Sequence, residues 1–118
     1  MKRRLELTAD LLRLYSRRGN FHSDPEAAAA LGYEHLVAQG MQVAGPAYGL
    51  LLDAWGEDFL AHGTIELKFV GPVVDGETVE ADVQLDGDAA TLTVENQTSG
   101  RTAVVGHAAR RPSGTTRP

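Results

Sequence analysis

The hydrophobic pattern of this chain changes its period once, at about Gly63, and this change limits the possible fold more than any other feature. Before it, apolar residues recur at helical spacing. The stretch from Met41 to Ala54 is apolar on so much of its circumference that it predicts a helix surrounded by protein. After it, apolar and polar residues alternate, which is typical of half-buried strands. The sequence therefore predicts an α+β fold in which helices come before an antiparallel sheet.

Four strands are predicted after the change of period, and turn residues separate them. Apolar and polar residues alternate in three stretches, and a final strand is expected from about Thr102 to Arg110. The three alternating stretches are 65–69, 79–85 and 91–95. The connections contain Gly71-Pro72, Asp75-Gly76, Asp86-Gly87-Asp88 and Ser99-Gly100. Such residues at this spacing are typical of turns between antiparallel strands.

Helices are predicted at three places in the first half of the chain. Thr8 can cap a helix that Gly19 should end. Asp24-Pro25 predicts the start of a short helix, because a capping carboxylate precedes a proline at the first helical position. The longest helix is expected from about Gly40 to Trp55. Pro46 lies within it and lacks a backbone donor, which predicts either a kink or a start later than Gly40.

Composition excludes several classes of function. A chain of 118 residues can form one core, with roughly 65% of its unfolded surface buried. Cysteine is absent, which excludes disulfides, thiolate zinc sites and cysteine nucleophiles. The net charge of -5 argues against a nucleic-acid partner, which would require a cationic face. No stretch approaches the roughly 20 apolar residues of a membrane span and no signal peptide is recognisable, so we expect a cytoplasmic protein that does not bind membranes.

One domain and one tail are expected. Residues 1–110 contain all the predicted helices and strands and should form a single domain. Residues 111–118 lack apolar anchors and are expected to form a flexible C-terminal tail. No recognised metal motif, Walker loop or dinucleotide fingerprint occurs in the sequence, so neither a metal nor a cofactor is expected.

The segment from Gly19 to Glu26, together with Gln39-Gly40-Met41, resembles the hydratase motif of MaoC-like enzymes. In that family a loop carries a catalytic Asp and His, a short helix follows, and a glycine opens the long helix that holds the thioester. The stretch from Leu67 to Val73, followed by Asp75-Gly76-Glu77, looks like the family's strand, proline turn and acidic pair. The resemblance covers nearly the whole chain and implies a hotdog fold, with an antiparallel sheet wrapped around a central helix.

The resemblance implies an enoyl-thioester hydratase or β-hydroxyacyl-thioester dehydratase, acting on coenzyme A or acyl carrier protein thioesters. A loop histidine is usually a polar surface residue, but His22 stands where the family has its catalytic histidine. It would exchange a proton with the substrate or with the water that adds. Gly40 would be the second catalytic element. Its backbone N–H would stabilise the enolate oxygen that forms when a thioester loses its α-proton.

The family's catalytic aspartate is missing from this chain. The family's dyad has the form Asp-x-Asn-Pro-x-His, and Arg17 and Arg18 stand four or five residues before His22. Arginines in a last helical turn are most often solvated. Near His22 they would oppose its protonation and pair with a substrate carboxylate, a phosphopantetheine phosphate or an acidic carrier protein. Asp24 is a possible replacement acid, although it fits a helix cap better.

Asn20 and Gln39 complete the predicted site. Asn20 belongs to the histidine motif, and Gln39 stands where the family commonly has a histidine. We predict that both bind substrate, together with Arg17 and Arg18. The remaining histidines lie outside the motif and are expected to be structural.

Two alternatives to a hydratase stay open. One is another reaction on the same scaffold, such as thioester hydrolysis, double-bond isomerisation or cyclisation in secondary metabolism, and a carboxylate near the thioester would favour hydrolysis. The other is a non-catalytic acyl-binding or partner subunit, which the replaced family residues suggest. We also expect a homodimer with a continuous sheet, because a single hotdog sheet leaves an edge strand and one face of the site open.

Overall fold

The computed structural model describes residues 1–15, 26, 38 and 40–111. In the described segments, one strand comes before the helices and four strands come after them. The elements are β1 (Lys2–Leu7), α1 (Ala9–Tyr15), α2 (Gly40–Trp55), α3 (Glu57–His62), β2 (Gly63–Phe69), β3 (Glu77–Asp86), β4 (Ala89–Asn96) and β5 (Arg101–Arg110). The predicted change from helices to strands at Gly63 is confirmed. The short helix predicted after Asp24-Pro25 and the flexible tail lie outside the described residues, apart from Glu26, which is helical, and Arg111.

The strands form one antiparallel sheet of five strands in the order β1-β3-β4-β5-β2. β3, β4 and β5 follow one another as hairpins, whereas β2 lies at the far edge against β5. Gly87 and Gly100 occupy the two hairpin turns with φ angles of 61° and 75°, a region that side chains other than glycine rarely adopt. The turn residues predicted from the sequence therefore terminate the strands. β1 and β2 form the two edges of the sheet.

α2 is the central helix of the fold and packs against β1, β3, β4 and β5. Its core-facing side chains meet the inward side chains of the sheet. These include Val43, Ala47, Leu50, Leu51 and Trp55 on the helix, and Val79, Ala81, Val83, Leu92 and Val94 on the strands. Alternation in the strands puts every second residue against the helix, as the hotdog prediction requires. In the described part of the chain, no helix is long and apolar enough to cross a membrane.

α2 contains Pro46 and is nevertheless helical from Gly40 onward. Of the two alternatives predicted for Pro46, the later start is therefore wrong, and the kink stays a prediction. Proline removes the hydrogen bond that its own N–H would donate and its ring crowds the carbonyl group of Gln42, but the N–H groups of Ala44 and Gly45 before it can still close the first turn. Pro46 is also buried in the fold.

α3 was not predicted from the sequence. Gly56, with a φ angle of 56°, separates it from α2, and Glu57 and Asp58 lie in its first turn. Acidic residues at a helix start are favoured by the helix dipole, so a signal was present. His62 is the last residue of this helix.

α1 begins as predicted and is fastened to the start of α2. The N–H of Leu11 donates to Oγ1 of Thr8 at 3.1 Å, which is the N-cap bond expected for threonine. Nε2 of Gln42 donates to the carbonyl oxygen of Leu11 at 2.9 Å, and Gln42 is 7% exposed. This buried link fixes the helix that leads to the predicted histidine segment relative to the helix that begins at Gly40.

Candidate active site

Gly40 is the predicted site residue that the structure describes. The others lie outside the described residues: Arg17, Arg18, Asn20, His22 and Gln39. Gly40 is the first residue of α2, the position that the family resemblance implied. The roles of all these residues, including Gly40, stay predictions.

The start of α2 suits a site that binds an oxygen atom carrying negative charge. The first four N–H groups of an α-helix have no acceptor within the helix, and the helix dipole adds positive potential there. α2 has 16 residues and no acidic residue in its first turn. Consequently, no carboxylate of that turn competes for the donors.

An apolar groove with a volume of about 570 Å³ opens beside Gly40. One wall is formed by residues around the start of α2, and the other by the end of β2 and the loop after it. The lining residues are Ala38, Gly40, Met41, Val43, Phe69, Val70, Gly71, Pro72 and Val73. A groove with this lining suits an aliphatic chain, and the polar groups that its described lining residues offer are those of the backbone.

Main-chain hydrogen bonds hold both walls of the groove. The N–H of Ala38 donates to the carbonyl oxygen of Val73 at 2.7 Å, which joins the two walls directly. The N–H groups of Val70 and Gly71 donate to the carbonyl oxygen of Ala103 on β5, at 2.8 and 3.3 Å. A Cβ atom on Gly71 would lie 2.8 Å from the carbonyl oxygen of Thr102, so glycine is required for this close approach. The groove is therefore formed before any ligand binds.

Phe69 covers the side of the groove next to Gly40. A Cβ atom on Gly40 would lie 2.7 Å from Cε1 of the Phe69 ring and 2.9 Å from two other ring carbons. The ring therefore packs directly on the first residue of α2. Phe69, Met41 and Val70 are 50%, 46% and 47% exposed, and they form an apolar rim around the groove.

Sequence reasoning missed the groove wall. In the predicted strand 65–69, Phe69 falls on the same face as Ile65 and Leu67, yet its side chain is half exposed at the groove, whereas theirs pack against the core. Its position at the end of a strand, shortly before the Gly71-Pro72 turn, could have indicated a place at the edge of the core. In the described segments, no group of three or more His, Asp or Glu side chains converges as a metal site would.

The sheet wraps around a buried helix whose start lies at an apolar groove, and this arrangement defines a hotdog domain. Residues 3–106 match the family described as the MaoC like domain, and the chain belongs to this family. The family predicted from the sequence is thus confirmed.

Known relatives include hydratases and dehydratases. Enoyl-CoA hydratase ChsH3 of Mycobacterium tuberculosis is 35% identical over 78 residues, which are 65% of this chain and 27% of ChsH3. The (R)-hydratase of A. caviae, involved in PHA biosynthesis, has a TM-score of 0.68 at 28% identity over 95% of both chains. A MaoC-like dehydratase from Phytophthora capsici has a TM-score of 0.81 at 18% identity, over 97% of this chain and 42% of that one. The chain thus spans about a quarter of ChsH3 and under half of the Phytophthora protein.

Proposed function

We propose that this domain hydrates an enoyl thioester, or dehydrates the corresponding β-hydroxyacyl thioester, at a site that lacks the family's aspartate. The observation that carries the proposal is the start of α2 at Gly40, which opens directly onto an apolar groove in a chain of the MaoC-like family. The thioester oxygen would accept a hydrogen bond at the start of α2, and the acyl chain would lie in the groove.

The reaction moves one hydroxyl group and one proton. In hydration, water loses a proton to a general base as its oxygen bonds to the β-carbon, and the electrons of the double bond shift through the α-carbon to the thioester oxygen. The resulting enolate is stabilised at the start of α2, and the α-carbon then takes up a proton. His22 handles one of these proton transfers. The second acid or base, which the family draws from aspartate, must come from another group.

The groove favours this reaction over hydrolysis. Hydrolysis would be favoured by a carboxylate near the thioester, and the described residues that line the groove include no Asp or Glu. A non-catalytic acyl-binding subunit would bind thioesters in the same groove. Exchange of the substrate's α-proton with solvent separates the two possibilities, because binding alone causes no exchange.

Because arginines stand where the family has its aspartate, we expect an unusual substrate. We expect a substrate with a polar or anionic group near its reacting carbons, held by Arg17 or Arg18. Simple crotonyl thioesters should be poor substrates, with turnover below the order of 10 per second that is ordinary for enzymes. Replacement of either arginine by aspartate should raise crotonyl hydration and reduce hydration of an enoyl thioester that carries a carboxylate. Both rates can be followed by the loss of enoyl absorbance.

A matched pair of variants tests this assignment. Arg17→Gln and Arg18→Gln remove the charge without supplying a carboxylate, so they should lose the anionic substrate and gain no activity on the crotonyl thioester. If the unchanged protein hydrates crotonyl thioesters at an ordinary enzymatic rate, another acid serves the site and the proposed role of the arginines is wrong.

We propose a homodimer that joins two sheets along β2. Charged residues occupy four of the six positions of β1 but two of the seven positions of β2. On β1, Arg3 and Arg4 are paired with Asp53 and Glu80. Charges protect an edge strand from pairing with another strand, so β2 is the better edge for assembly. The exposed rim around the groove lies at the end of this same strand.

We expect a dimeric mass at micromolar concentration. The double variant Thr64→Lys with Glu66→Lys places two further lysines on the same face of β2 as Lys68. Repulsion between these charges and those of the partner strand should raise the dimer dissociation constant by roughly 10-fold. Glu6→Lys on β1 is the matched control and should leave the dimer unchanged. Sedimentation of all three proteins measures this. A monomeric mass for the unchanged protein, or equal weakening by both sets of substitutions, would contradict assembly through β2.

A further inference from the structure

Among the described residues, Phe69 supplies the three atoms nearest to a Cβ atom built on Gly40, from the opposite wall of the groove. Its ring carbons would lie 2.7 to 2.9 Å from a Cβ atom on Gly40, so ring and glycine are in direct contact. In the function proposed above, the N–H groups there hold the thioester oxygen. The acyl carbons next to the carbonyl group must then lie beside the phenyl ring.

The backbone that carries Phe69 is held firmly, while the ring itself is half exposed. Phe69 is the last residue of β2 and is paired with Val104 of β5. The next two residues are hydrogen-bonded to Ala103, as described above. The ring is 50% exposed and does not belong to the buried core, against which Ile65 and Leu67 pack. A large apolar side chain in a rigid position outside the core contributes more to the shape of the groove than to the stability of the fold.

We propose that Phe69 determines which acyl groups the site accepts, by limiting the size of substituents near the reacting carbons. This inference rests on the function proposed above. Unbranched chains pass the ring along the groove, whereas a bulky substituent close to the carbonyl group meets the phenyl ring. Replacement of Phe69 by a small residue should therefore let the groove bind an acyl group that carries a ring of similar volume.

The test measures binding rather than turnover, so that it does not depend on His22. Butyryl and 3-phenylpropionyl thioesters of pantetheine are the probes, because pantetheine is common to coenzyme A and acyl carrier protein. The unchanged protein should prefer the butyryl thioester. Phe69→Ala should shift the ratio of the two dissociation constants toward the 3-phenylpropionyl thioester by roughly 10-fold or more, the usual effect of reshaping an apolar pocket. Calorimetric titration gives both constants.

Matched variants make the test specific. Val70→Ala removes an apolar side chain of similar exposure from the same groove, and no Val70 atom is among the three nearest to a Cβ atom on Gly40. It should shift the ratio much less than Phe69→Ala does. Phe69→Leu should give an intermediate shift and serves if the alanine variant fails to fold.

Two different failures can be told apart. A folded Phe69 variant that binds butyryl pantetheine with an unchanged ratio would overturn the role of Phe69 and leave the proposed function intact. An equal shift in Val70→Ala would have the same meaning. If the unchanged protein binds neither thioester, the proposed function fails, and this inference fails with it.

Discussion

Replacement of His22 by alanine is expected to lower turnover by roughly 100-fold or more, because a general acid or base contributes about that factor. The proposed reaction needs two proton transfers, and His22 is the residue that the family motif assigns to one of them. The KM for the thioester should change little, since the chain is held by the groove and by the start of α2. Steady-state rates of enoyl hydration, measured across substrate concentrations, give both constants.

His107→Ala provides the matched control. His107 is exposed on β5, and its Nε2 lies 3.1 Å from Oε2 of Glu66. It is not among the residues that line the groove, so its loss should leave turnover unchanged. Circular dichroism shows whether each variant is folded. Unchanged turnover in a folded His22→Ala protein would eliminate the mechanism derived from the family motif.

Replacement of Gly40 by alanine should lower kcat/KM by about 100-fold while the fold remains stable. The new methyl group would overlap the Phe69 ring and push either the ring or the bound thioester aside. A displacement of about 1 Å from the reactive geometry costs on the order of 100-fold in rate. Stability should not fall, because the half-exposed ring can turn away and alanine favours a helix more than glycine does.

Gly45→Ala is the control on the same helix. A Cβ atom on Gly45 would have no neighbour within 4 Å, so this variant should keep full activity and unfold at the same or a slightly higher temperature. The double variant Gly40→Ala with Phe69→Ala should recover part of the lost rate, because the overlapping ring is gone. Full activity in Gly40→Ala, or an equal loss in Gly45→Ala, would show that the start of α2 does not hold the thioester.

Local rules explain why so much of the fold was predictable. Alternation places Val79, Ala81 and Val83 on one face of β3, and all three are buried. Glycine is needed where φ is positive, so Gly87 and Gly100 identified their turns correctly. These signals depend on neighbouring residues along the chain and require no knowledge of distant contacts.

The contacts that form the groove could not be predicted in this way. Phe69 meets Gly40, and Ala38 meets Val73, although each pair is separated by about thirty residues or more in the sequence. Alternation places Phe69 on the same face of β2 as Ile65 and Leu67. The pattern cannot show how far along the strand α2 covers this face. Gly40 was recognised through its resemblance to the family's glycine, since its own residue type is equally suited to a simple turn.

Main-chain hydrogen bonds hold the groove in place, whereas side chains determine which ligands it accepts. Ala38, Val70 and Gly71 are tied through backbone atoms; at Ala38 and Val70 every substitution except proline retains the donor, whereas position 71 must stay glycine. The side chains that face a ligand, such as Met41 and Phe69, are about half exposed and contribute little to the core. Mutations at these positions can therefore accumulate in a lineage with little loss of folding. A scaffold of this kind can diversify its substrate repertoire while its framework stays unchanged.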